Sequence, residues 1–162
     1  MTEDALLDGL FGLPAHPLIV HATVVVVPTA AVTVALAALW PRFRAWAGPL
    51  PLLLSLTALT LVPVTVKSGE SLARRLDETA LTQRHGDLGQ GLLPWVGALT
   101  VAAAALFWLN RRDAHPPRTQ HPARHRLTAA ALILLALAAA TGSSLQIVRV
   151  GHSGAEAAWT QP

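Results

Sequence analysis

The chain contains no cysteine. That excludes disulfides, thiolate metal sites, c-type haem attachment and iron–sulfur clusters held by cysteine. It contains no tyrosine either, so any aromatic belt at a membrane surface must be built from its five Trp and three Phe. Charge is scarce: Asp, Glu, Lys and Arg make up 13% of the residues, against about 25% in an ordinary soluble domain. Such a deficit is the mark of a membrane protein. Recognisable catalytic machinery is also missing. There is no nucleophile triad, Walker loop, glycine-rich dinucleotide turn or pair of catalytic carboxylates, which argues against a hydrolase or a nucleotide enzyme.

What is present is apolar length. Residues 17–39, 49–66, 91–109 and 127–148 are four runs without a charged side chain. A hydrocarbon core about 30 Å thick takes about 20 helical residues to cross. In lipid each span must satisfy its own backbone, and four segments are too few for a closed barrel. The expected fold is therefore all-α: an integral membrane four-helix bundle. Its expected parts are an outer segment at 1–16, a four-span domain at 17–148 and an outer tail at 149–162. Residues 1–16 hold Glu3, Asp4 and Asp8 but no basic residue, so the first span is expected to be an uncleaved anchor. Small pairs four apart on the last run (Ala138 with Gly142, Ala139 with Ser143, Ala140 with Ser144) are where a neighbouring helix can come close.

The connections give an orientation. Loops 40–48 and 110–126 hold seven basic residues and one acid, whereas the other non-spanning positions hold five basic residues and eight acids. By the positive-inside rule those two loops face the cytoplasm. Both termini and the 67–90 connection are then outside, in a bacterial cytoplasmic (inner) membrane. The aromatics agree: Phe11, Trp95 and Trp159 fall at the outer ends of spans, and Trp40, Phe43, Trp46, Phe107 and Trp108 at the inner ends. The basic, proline-rich stretch 115–125 is expected to be extended and solvated, near anionic lipid headgroups. Its basic residues read as topology, with no nucleic-acid partner.

The chain also repeats itself. Val66-Lys67-Ser68-Gly69-Glu70-Ser71 follows the second run, and Val148-Arg149-Val150-Gly151-His152-Ser153 follows the fourth. Two copies of one helical hairpin, related by an axis along the membrane normal, would produce this. In that register Glu70 and His152 are equivalent.

Four of the seven histidines, His16, His21, His85 and His152, fall at the outer level, with Glu70 and Asp87 nearby in sequence. Neutral imidazole is the commonest metal ligand and the usual axial ligand of b-type haem. Polar side chains within a span are costly and mark function. Gly86, Gly151 and Gly154 flank these histidines and would admit a flat ligand or a helix backbone. The leading expectation is a redox cofactor, haem b, held by His16 or His21 with His85 or His152 and tuned by Arg149 and Glu70. The alternatives are a non-haem Cu, Zn or Fe site using His16, His21, His85, His152 and Glu70, or an interaction module whose histidines cap helices or sense acid. On each reading the chain is a carrier or binding protein more than an enzyme. The spans offer no charged lining for a channel.

These motifs resemble a known family. Gly12-Leu13-Pro14-Ala15-His16-Pro17-Leu18-Ile19-Val20-His21, the Gly69-Glu70 pair, His85 with Leu88-Gly89, and Val148-Arg149-Val150-Gly151-His152-Ser153-Gly154-Ala155 are similar to the bacterial membrane proteins grouped as domain of unknown function 2231. The resemblance covers about Gly12 to Trp159. It implies a four-span protein without an assigned activity. Through relatives joined to Rieske-type iron–sulfur domains, it implies a respiratory or iron–sulfur redox partner.

Overall fold

The computed structural model describes residues 15–74, 79–114 and 122–159. These form α1 (Ala15–Leu39), α2 (Pro41–Ala47), α3 (Leu50–Ala73), α4 (Ala80–Gln90), α5 (Leu92–Ala114) and α6 (Pro122–Trp159). Among the described residues there is no strand. Four stretches are long and apolar enough to cross a membrane: His16–Leu39, Leu50–Ala73, Ala80–Arg112 and Arg126–Trp159.

Helix α1 packs against α3 and α6, and α5 packs against the same two. The four long helices thus form a square in which α1 and α5 are diagonal partners that still touch, whereas α3 and α6 stand apart. The core is made mostly of small side chains. Val27, Ala30, Ala31 and Val34 of α1 face Leu99, Ala102, Ala103 and Leu106 of α5 and Ala136, Ala139 and Ala140 of α6. Large apolar side chains such as Leu18, Val25, Leu53, Val101, Leu134 and Val148 point outward. In water such a surface would aggregate. In lipid it is the natural arrangement, because helices there associate through close backbone approach and not by hiding leucine.

The internal repeat is written in the burial pattern. Thr23, Val27, Ala30, Ala31, Val34 and Ala37 of α1 are buried, and so are Leu92, Val96, Leu99, Thr100, Ala103 and Leu106 of α5, each 69 residues further on. Pro51, Ser55, Ala58, Val62 and Ser68 of α3 are matched by Ala136, Ala140, Ser143, Ile147 and Ser153 of α6, each 85 further on. Equivalent helices run the same way, so the two hairpins are related by rotation about the bundle axis.

This corrects the register expected from the motifs. Ser68 matches Ser153, not Val150, and His152 matches Lys67, not Glu70. The slip is three residues. Three residues are close to one turn of 3.6, so both alignments keep nearly the same helix face.

The connections are more helical than expected. Pro41 opens α2, and Gly48, at φ +55°, closes it with its N–H on the Arg44 carbonyl. Proline suits the first turn and glycine the left-handed stop. α3 carries past residue 66 to Ala73. α4 starts from a reciprocal cap in which Thr79 and Thr82 bond each other's side chain and backbone. α6 runs unbroken to Trp159, so the 149–159 part of the expected tail is helix. Most of the basic stretch 115–125 lies outside the described residues.

Candidate functional site

The end of the bundle away from α2 carries two copies of one local structure. In the first, His16 sits in the opening turn of α1 and its Nδ1 lies 3.0 Å from Ser68 Oγ on α3. The Ser68 hydroxyl donates to the Thr65 carbonyl at 2.8 Å. Gly69 follows directly, and a Cβ on it would stand 2.9 Å from His16 Cε1. In the second, His85 of α4 places Nδ1 3.1 Å from Ser153 Oγ on α6. The Ser153 hydroxyl donates to the Val150 carbonyl at 3.0 Å. Gly154 follows, and its missing Cβ would stand 3.0 Å from His85 Cε1.

The helical rise explains why serine and glycine are adjacent. A serine in a helix bonds back to the carbonyl three or four residues earlier, which fixes its oxygen against the neighbouring helix. The next residue turns only about 100° further round, so it meets the same imidazole and must lack a side chain. Ser68 and Ser153 are almost wholly buried, so water does not compete for either hydroxyl.

The two halves are clasped differently below the rings. Between α1 and α3, Thr23 Oγ1 lies 2.7 Å from Thr65 Oγ1. Between α4 and α6, Gln146 Nε2 donates to the Leu88 carbonyl at 2.7 Å.

Of the four imidazoles expected to gather, two, His16 and His85, are held alike against buried serines. His21 is exposed, and its Nδ1 is 2.6 Å from the Pro17 carbonyl of its own helix. Five residues beyond His16 it is turned about 140° away. The His152 side chain is 75% exposed and its Nε2 is 3.2 Å from Glu156 Oε1, with Arg84 Nη1 3.6 Å from Glu156 Oε2. Glu70, Asp87 and Arg149 are exposed. Among the described residues no three of His, Asp and Glu are grouped so as to hold a metal ion. Of the flanking glycines, only Gly154 is pressed by a ring, and the ring is that of His85; nothing stands within 4 Å of a Cβ on Gly86 or Gly151.

Three residues of the site, Ser68, Gly69 and Ser153, stand in the repeated motif with no site role expected of them, and Gly154 is expected only as a glycine flanking His152. Their signal is the Ser-Gly dipeptide that recurs once in each hairpin, one helix pair away from a histidine.

No curated protein and no solved structure shows significant similarity to the chain. The sequence profile of one family, described as predicted membrane protein (DUF2231), matches residues 12–161. With nearly its whole length matched, and with the apolar spans such a description requires, the chain belongs to the DUF2231 family of membrane proteins.

Proposed function

We propose that this protein holds one b-type haem between His16 and His85 and serves as a membrane electron carrier. One observation carries the reading: two imidazoles from equivalent helices, at one end of the bundle, are each tied through Nδ1 to a buried serine. A porphyrin brings four nitrogen donors, so its iron asks only two of the protein. A non-haem Cu, Zn or Fe centre asks for three or four, and the described residues offer a pair. Bound haem would supply one-electron chemistry. The chain's part is to hold two neutral imidazoles in place and to surround them with packed helix ends.

On this reading the histidine end faces outward from a bacterial cytoplasmic membrane, as do both termini. The support is the clustering of Arg42, Arg44, Arg111 and Arg112 at the opposite end. An extracytoplasmic iron–sulfur or respiratory protein would then be the partner. Arg112 lies 4.5 Å over the Trp108 ring and Arg111 5.4 Å over Phe107, an arrangement suited to a headgroup layer.

The test is an absorption spectrum of protein made with haem supplied and purified in detergent. A Soret band at one haem per chain, lost in His16→Ala and in His85→Ala, is the expected result. A colourless protein that carries stoichiometric metal would overturn haem in favour of the metal reading.

A further inference from the structure

Each serine hydroxyl has one proton, and in both copies a carbonyl of its own helix stands ready to accept it. A carbonyl oxygen can only accept, so Ser68 donates to Thr65 and Ser153 donates to Val150. The serine oxygen can then only accept from the imidazole. With each serine proton on its own helix carbonyl, Nδ1 of His16 and Nδ1 of His85 carry the ring protons. A neutral imidazole has one N–H, and the bond made by one nitrogen decides the state of the other. Nε2 is left with the lone pair on both rings. In water a free imidazole favours the opposite form, with the proton on Nε2.

We infer that Ser68 and Ser153 are positioning residues that set both histidines in the Nδ1–H tautomer, so that the site offers two matched lone pairs. That selects the chemical class of ligand. Two lone pairs serve a Lewis-acidic centre, such as a metal ion in a macrocycle, and repel an anion, which would need N–H donors. Gly69 and Gly154 complete the device by letting the ring edges reach the serines. The choice of haem iron as the acceptor rests on the proposed function; the tautomer does not.

The full-length protein, labelled with 15N-histidine and held in detergent above the imidazole titration range, gives a direct test. Long-range 15N–1H correlations report which nitrogen of each ring is protonated. His16 and His85 are expected in the Nδ1–H form. Ser68→Ala should return His16 alone to the Nε2–H form, and Ser153→Ala should do so for His85 alone. His21 is an internal reference: its Nδ1 donates to the Pro17 carbonyl, and neither serine variant should move it. Wild-type rings in the Nε2–H form, or serine variants with unchanged tautomers, would overturn the inference whether or not haem binds. Nδ1–H rings that respond to the serines would sustain it, even in a protein that takes up no haem.

Discussion

His16 rests on Gly69 so closely that a Cβ there would stand 2.9 Å from its Cε1, and His85 rests on Gly154 in the same way at 3.0 Å. Neither position has room for a methyl group unless the ring moves. Gly69→Ala and Gly154→Ala should each push one imidazole off its serine. Overpacking of this kind costs about 1–3 kcal/mol, which a bundle of this size can absorb. On the proposed haem reading, the expected outcome is a helical protein with an unchanged circular dichroism spectrum and no Soret band.

The histidines themselves should divide sharply. His16→Ala and His85→Ala should abolish haem binding at the paired site. His21→Ala and His152→Ala should leave the absorption spectrum unchanged, since His21 bonds its own helix and His152 faces Glu156. Equal losses in all four variants would show that the pair is not the site.

A separate contact sets the outer surface of α5 against α6. A Cβ on Gly142 would collide with the Trp95 indole. Gly142→Ala should therefore lower the midpoint of thermal unfolding in detergent, by the equivalent of about 1–3 kcal/mol. Gly151→Ala is the control. Nothing lies within 4 Å of that Cβ, and alanine in a helix is favoured over glycine by about 0.5–1 kcal/mol. It should be neutral or slightly stabilising.

Within the core, packing should outweigh hydrogen bonding. Thr100 Oγ1 lies 3.1 Å from the Ser55 carbonyl on α3 and 2.9 Å from the Val96 carbonyl of its own helix. Interhelical bonds of this type are worth about 0.6 kcal/mol in lipid, so Thr100→Val should be nearly silent. Leu99 is fully buried, and Leu99→Ala should cost about 2–5 kcal/mol through the cavity it leaves. Unfolding titrations of both variants in mixed detergent would rank them.

The four spans were legible because lipid imposes a simple rule: apolar, uncharged and long. The repeat was legible too, but its register was not, because a helix presents almost the same face after three residues. Ser68 therefore looked like the partner of Val150 until burial aligned it with Ser153. The site was legible only in part. His16 and His85 could be placed at one level by charge alone, but which way an imidazole turns depends on the neighbouring helix. His21 and His152 share that level and point elsewhere. The short helices α2 and α4 are hard to read from sequence because they carry no apolar run. Their caps, Gly48 and the Thr79–Thr82 pair, were the available signs.

Gly91 alone joins α4 to α5, yet α4 takes its bearing from α6, through the bond from Gln146 to the Leu88 carbonyl. Gly91 keeps helical geometry, so His85, like His16, belongs to a spanning stretch. Only the His85 stretch has this side-chain bond from α6 to its backbone just below the ring. A disturbance at Gln146 should shift His85 and leave His16 where it stands, so the two imidazoles can be altered one at a time.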